Sequence, residues 1–313
     1  MPNVVLLFPG QGSQVPGMGK DLAQRFPAAR EVFEAADVAV DAPLSALCFD
    51  GPAEELTRTH NAQPALLTHG AAVWAVVRET IGNMVVGAAG HSLGEFTAYH
   101  ASDALPFAEA VRLVRRRGQL MFEAGQQRPG AMAAVLGTPS SSIEEICDEA
   151  TESAGVVVPA NYNCPGQTVI SGEEAGVERA MELVKLAGAK AKRLNVSGAF
   201  HSPLMEGAVA GLVKALDLAH FADPRFAVYA NVNAQPVKDA ALARRLLTEQ
   251  LTAPVQWTRT IESLVLLHPG ALFVEMGPGA VLKGLARKIA PSLKVVTCGT
   301  AAEVDSLLTT IAA

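Results

Sequence analysis

Gly90-His91-Ser92-Leu93-Gly94 constrains this chain more than any other segment. The apolar, small-residue run from Met84 to Ala89 ahead of it reads as a buried strand. Glu95-Phe96-Thr97-Ala98-Tyr99 behind it reads as the first turns of a helix. Where a strand turns sharply into a helix at Gly-x-Ser-x-Gly, the serine is held in a strained conformation and bulkier neighbours would clash. The helix N-terminus beneath Ser92 aims backbone N–H groups at any negative charge forming there. The five residues alone also fit an ordinary strand-to-helix turn; the strand before and the helix after favour a nucleophile.

At 313 residues the chain has room for two domains or one large one. Half of its residues are hydrophobic and 18% are charged, which suits a well-buried α/β protein and argues against disorder. A net charge of −6 without a dense Lys/Arg run gives no reason to expect nucleic acid. Cys48, Cys147, Cys164 and Cys298 lack metal-ligand spacing and read as reduced thiols. The first apolar run, Val4 to Phe8, has no basic flank and is too short for a signal peptide. No stretch approaches the roughly eighteen apolar residues of a membrane span, so a soluble, cytoplasmic chain is expected.

Residues 3–8 read as a buried strand ending in the loop Pro9-Gly10-Gln11-Gly12-Ser13-Gln14. Open α/β sheets bind ligands at such strand ends. Helical periodicity follows over 20–36, then 52–59 with Pro52 at the first position, Pro64 to Ile81, and Pro106 to about Ala124. The middle changes rhythm. Strand Ala131–Leu136, helix Ser140–Glu152, strands Val156–Asn161 and Thr168–Ser171, helix Glu173–Ala187 and strand Lys190–Val196 make a ferredoxin-like split unit. It predicts a small domain at 128–197 inserted into a large α/β domain of residues 1–127 and 198–313. Strands at 226–231 and 271–275, alternating with helices at 203–218, 237–250 and 279–289, complete a mostly parallel sheet.

A serine hydroxyl needs a base to take its proton. His91 is the poorest of the seven histidines, because neighbours on a tight elbow project in different directions. His60, His69, His100, His220 and His268 lie in or beside helical patterns and read as surface or structural. His201 lies in Ser197-Gly198-Ala199-Phe200-His201-Ser202-Pro203, where the chain re-enters the large domain, and is the expected base. Between Ser92 and His201, Asp103 and Glu123 lack a strand-end context. A dyad with the imidazole held by a backbone carbonyl is therefore expected. Gln11 and Gln14 sit in a loop suited to presenting N–H donors to an oxyanion, though it also reads as a simple glycine-rich turn. Arg115 and Arg116 read as a solvated face. Arg117, followed by Gly118 within the helix, reads as a buried cation whose planar fork fits a carboxylate.

Together these segments resemble the malonyl-CoA:acyl carrier protein transacylase family over essentially the whole chain. Phe8-Pro9-Gly10-Gln11-Gly12-Ser13-Gln14 is similar to its opening signature and Gly90-His91-Ser92-Leu93-Gly94-Glu95 to its nucleophile motif. Gly198-Ala199-Phe200-His201-Ser202 is similar to its histidine motif. Asn161-Tyr162-Asn163 with Pro165-Gly166-Gln167 and Ile170-Ser171-Gly172 resembles its small-domain segment, and Glu275-Met276-Gly277-Pro278-Gly279 its C-terminal turn. The resemblance implies an α/β-hydrolase-like fold and transfer of malonyl from malonyl-CoA to the phosphopantetheine thiol of an acidic acyl carrier protein. Fatty acid biosynthesis is the implied pathway, with service to a polyketide synthase as the alternative.

It also implies roles. Ser92 carries the acyl group, His201 is base and acid, and the N–H groups of Gln11 and Leu93 form the oxyanion hole. Arg117 binds the malonyl carboxylate, Gln63 lines the pocket, Phe200 limits bulk at the α-carbon, and the backbone carbonyl of Gln250 orients His201. No ATP, metal or redox cofactor is implied, because exchanging one thioester for another is nearly balanced in energy. His100 and Ser102-Asp103-Ala104 depart from the family's glycine-containing segment, which puts the local turn in question. A carrier docking patch is expected at Lys190, Lys192, Arg193, Lys283 and Arg287. A serine hydrolase and a non-catalytic docking module remain the rival classes.

Overall fold

The computed structural model describes residues 3–312. Its strands in chain order are β1 (Val4–Phe8), β2 (Val85–Gly90), β3 (Ala131–Leu136), β4 (Val157–Cys164), β5 (Gln167–Gly172), β6 (Lys190–Arg193), β7 (Ala227–Tyr229), β8 (Pro236–Val237), β9 (Leu272–Glu275) and β10 (Val295–Thr297). The larger sheet has the order β10-β9-β1-β2-β7-β8 and is parallel except for the β7–β8 edge. β1 is buried along its whole length, as a central parallel strand covered on both faces must be. Phe8 pairs with Gly90. The loop after β1 and the elbow after β2 therefore leave the sheet side by side.

The second sheet, β4-β5-β3-β6, is antiparallel throughout, and this is the strand order of a ferredoxin-like unit. Side chains alternate across it. Ala131, Ala133 and Val135 pack on the helices Ile143–Ser153 and Glu174–Leu186, while Met132, Ala134 and Val169 join the main core on the other face. Strand β4 is fastened to the segment just before the helix Trp257–Leu267: Tyr162 donates to the Val255 carbonyl at 2.9 Å, and Val255 donates to Ala160 at 2.8 Å.

Several helices differ from the periodicity reading. The 20–36 pattern is two helices, Lys20–Arg25 and Pro27–Val40, because Pro27 drives Phe26 into extended backbone (φ −116°, ψ 115°). Pro52 precedes the first helical residue, Ala53, instead of occupying it. The helix expected to open at Pro64 runs from Thr59 to Ile81 with the proline inside. Proline cannot donate to the His60 carbonyl four residues back. Arg115 does so instead, at 2.8 Å, and it also bonds Asn61. Arg115 is thus half-buried and structural, not part of a solvated face. Strand β6 ends at Arg193, short of Val196. The helices Leu44–Asp50, Trp257–Leu267 and Ala301–Ala312 and the strand β10 had no counterpart in the sequence reading.

Gly118 explains how Arg117 reaches the centre of the molecule. A Cβ there would meet His60 Cα at 2.6 Å and the Thr59 carbonyl oxygen at 2.8 Å. The helices Thr59–Ile81 and Phe107–Gln127 cross at backbone contact, which brings the adjacent arginine under the elbow.

Candidate active site

Ser92 has φ 52°, the left-handed conformation an elbow imposes. Nothing larger than glycine fits beside it: a Cβ on Gly90 would lie 1.8 Å from the Gly94 carbonyl carbon, and one on Gly94 would lie 2.1 Å from the Phe8 oxygen. Ser92 Oγ is 2.8 Å from His201 Nε2, and His201 Nδ1 is 2.9 Å from the Gln250 carbonyl oxygen. That carbonyl can only accept, so the Nδ1 atom carries the proton and Nε2 presents its lone pair to the serine. The imidazole is buried, and its pKa is lowered to about 3, first by burial and then by the neighbouring Arg117 guanidinium. It is neutral at physiological pH.

Arg117 is 1% exposed. Nη1 donates to Gln63 Oε1 at 2.7 Å; Nη2 donates to Gln250 Oε1 at 2.9 Å and to Ser92 Oγ at 3.2 Å. Among the described residues its Nε has no partner, and the guanidinium carbon lies 5.4 Å from the Phe96 ring centre. Among the described residues no carboxylate is hydrogen-bonded to this fork. Burial lowers its pKa to about 10, still far above neutrality. The protein therefore keeps a cation in its interior hydrogen-bonded only to amide and hydroxyl oxygens, with the Glu95 carboxyl acting on it electrostatically and its fork open to an incoming anion.

A cavity of about 380 Å³ opens over Ser92, within the range of ligand pockets. Phe200, Met121, Met132 and Val169 give it apolar walls, with Asn161 and Asn163 at the β4 side. Gln11 and Leu93 line it. Among the described residues neither of their backbone N–H groups has an acceptor, so both are available to an oxyanion. The Gln11 side chain is tied to Thr59 Oγ1 at 3.2 Å; Gln14 bonds back to the Gly12 N–H at 2.7 Å.

A model of the acyl transferase domain matches residues 5–304. The malonyl CoA-acyl carrier protein transacylase of Bacillus subtilis is 46% identical over 95% of this chain and 93% of its own length. The chain belongs to the malonyl-CoA:acyl carrier protein transacylase family. An acyl-carrier-protein S-malonyltransferase structure from Bartonella henselae superposes with a TM-score of 0.94 at 40% identity, covering 99% of this chain and 100% of the other. A type II PKS acyl carrier protein in complex with its malonyl-transacylase matches with a TM-score of 0.93 at 39% identity, covering 98% and 99%.

Among the described residues, none of the remaining histidines of this transacylase family member bonds the serine oxygen. His91 turns away from Ser92 to Asn163 Oδ1 at 2.8 Å, its ring against Trp257. His69 bonds the Gly299 carbonyl, His100 that of Leu105, His220 pairs with Glu109 and His268 with Tyr229. Asp103 and Glu123 face outward in ion pairs. Asp103 adopts φ 62° at the turn after the elbow helix, within the segment expected to depart from the family pattern, and it bridges Arg78 at 3.0 Å and Arg225 at 3.4 Å. The departure is accommodated locally.

The expected docking residues do not form one patch. Lys190 and Lys192 pair with Leu136 and Ala134, so they emerge on the pocket side of the small sheet at its β6 edge. Arg193 on the other face is held by Glu174 and Glu178. Lys283 and Arg287 lie on the helix Val281–Ile289, which packs against β4 at the opposite edge. The sequence reading also missed two buried groups beside Ser92: Asn231 and Glu95. Asn231 follows strand β7, a strand-end position that could have flagged it. Glu95 stood inside the nucleophile motif without a role.

Proposed function

We propose that the protein moves malonyl from coenzyme A to the phosphopantetheine thiol of an acyl carrier protein through an ester on Ser92. The observation that carries this reading is Arg117, a buried cation 3.2 Å from the serine oxygen with, among the described residues, no carboxylate hydrogen-bonded to it. In the first half-reaction His201 Nε2 takes the Oγ proton as Oγ attacks the malonyl thioester carbonyl. The N–H groups of Gln11 and Leu93 hold the oxyanion, and its collapse expels the coenzyme A thiolate, which leaves with the proton from His201. The carrier thiol then repeats these steps in reverse. The malonyl carboxylate on Arg117 fixes the ester, with Gln63 steadying the guanidinium, and Phe200 restricts bulk at the α-carbon. The Gln250 carbonyl keeps His201 in the productive tautomer.

Residues 128–197 act in this reading as one inserted unit between the halves 1–127 and 198–313 of the large domain, walling the acyl pocket with Met132, Ala134 and Val169. We place the protein in the cytoplasm. Buried unpaired thiols at Cys48, Cys147, Cys164 and Cys298 support that, and among the described residues no helix is long and apolar enough to cross a membrane.

Mass spectrometry of the protein with malonyl-CoA, with and without carrier, tests the reading. A malonyl adduct that passes to the carrier thiol is the expected result. Free malonate instead makes it a hydrolase, and no adduct makes it a docking module. The likeness to the polyketide carrier complex favours a second source of carrier, so fatty acid and polyketide carriers are both offered. Because Lys190 and Lys192 are exposed on the pocket side, reversing both to glutamate raises the KM for carrier protein and leaves acylation by malonyl-CoA unchanged. Equal change in both half-reactions, or none, removes these lysines from the carrier surface.

A further inference from the structure

Behind the serine and histidine lies a carboxyl group that touches neither. Glu95 is fully buried in the first turn of the helix Gly94–Ala101. Its Oε2 accepts from the Asn231 backbone N–H at 3.0 Å and from Gln250 Nε2 at 2.7 Å; its Oε1 has no partner among the described residues. Burial raises its pKa to about 7, with the two hydrogen bonds and Arg117 opposing that rise. A carboxyl group kept there at such cost in solvation calls for a function beyond packing.

Both of its partners hold the reacting groups. Asn231 Oδ1 accepts the Ser92 N–H at 2.7 Å and Nδ2 donates to the Gly90 carbonyl at 2.7 Å, so one side chain clamps the elbow on both sides of the strained residue. Gln250 touches every other part. Its backbone carbonyl takes His201 Nδ1, its Oε1 takes Arg117, and its Nε2 also reaches the Ser92 carbonyl at 3.1 Å. The amide has one workable orientation. Turned over, Oε1 would face the Glu95 carboxylate and the Ser92 carbonyl, and the NH₂ group would face the guanidinium.

We propose that Glu95 is a positioning residue: its single partnered oxygen fixes Asn231 and Gln250 together, and through them sets the serine elbow, the imidazole and the carboxylate-binding arginine as one unit. The Gln250 carbonyl takes the Nδ1 position that a triad carboxylate would fill, and Glu95 acts from behind it through two amides without bonding the histidine.

The inference rests on malonylation of Ser92, so the test follows that step in single turnovers at saturating malonyl-CoA, normalised to folded protein by circular dichroism. Glu95→Leu removes the accepting oxygen while keeping a similar bulk; Gln250→Met keeps the carbonyl on His201 but leaves Glu95 only the Asn231 N–H as a donor. Each is expected to slow acylation by about tenfold or more. The double variant is expected to be no more than about threefold slower than the slower single, because the two changes break one network. A merely structural glutamate would lower the melting temperature, leave the rate per folded molecule within about twofold, and give multiplicative effects; that result overturns the proposal. Should Glu95→Leu not fold, Gln250→Met decides, and a rate within about twofold of wild type overturns it. Wild-type protein that forms no malonyl-Ser92 ester refutes the transferase reading itself, a different failure.

Discussion

Replacing Ser92 by alanine abolishes the malonyl ester, and replacing His201 by alanine slows its formation by about 10²–10⁴-fold. The oxygen and the imidazole nitrogen already lie 2.8 Å apart, so the first step needs no rearrangement of the base. The His201→Ala loss is partial because the free N–H groups of Gln11 and Leu93 still stabilise the oxyanion and Arg117 still binds the acyl group. Intact-protein mass spectrometry reads the first result and rapid-quench acylation the second. An ester on a residue other than Ser92, or His201→Ala acylating at nearly the wild-type rate, would assign the chemistry to other groups. The pH profile adds a check. With its pKa held at about 3, His201 stays in its basic form throughout the neutral range. Wild-type acylation therefore shows no acid limb from this residue near 6.5, where an ordinary imidazole would place it.

Arg117→Ala collapses the preference for malonyl-CoA over acetyl-CoA by at least about tenfold. In the wild type an acyl group without a carboxylate enters beside a desolvated cation and gives it nothing. Charge-assisted hydrogen bonds contribute roughly 1.5–3 kcal/mol, enough for a tenfold change or more. Truncation removes the attraction for malonyl and the penalty on acetyl together, so the ratio of kcat/KM values is the measurement. Arg117→Lys restores only part, since one ammonium cannot reproduce the two parallel bonds of the fork or reach Gln63 and Gln250 at once. The same variant moves the histidine. Arg117 is the second cause, after burial, of the low His201 pKa. Losing its positive charge favours the imidazolium, so the acid limb of acylation shifts to higher pH in Arg117→Ala. An unchanged selectivity ratio and an unmoved limb would make Arg117 a packing residue and remove the main physical support for malonyl.

The elbow was legible in the sequence because its requirements are local. A buried strand, a Gly90 whose Cβ would meet Gly94 and a following helix are set by neighbours within ten residues, whereas Gly94 is held bare by Phe8 on the adjacent strand; Ser92 has the expected strained φ. The alternation of strands and helices over 131–193 was legible for the same reason, and the observed order β4-β5-β3-β6 follows from it. Periodicity failed where a distant partner overrode a local rule: Pro64 lies inside a helix because Arg115, 51 positions on, satisfies the carbonyl that proline leaves open. His201 could be chosen from its loop context, yet its 2.8 Å approach to a serine 109 positions earlier is decided by the tertiary packing of distant segments. Asn231 and Glu95 were invisible as a pair, being 136 residues apart and meaningful only once β7 lies beside β2. The docking lysines divided for the converse reason: sequence shows charges on strands and helices, but the sheet order decides which edge each one occupies. Short-range steric and hydrogen-bonding needs write themselves into consecutive residues. Long-range pairing between buried polar groups leaves no mark on either partner's neighbours, so only the tertiary structure could reveal the network behind the serine.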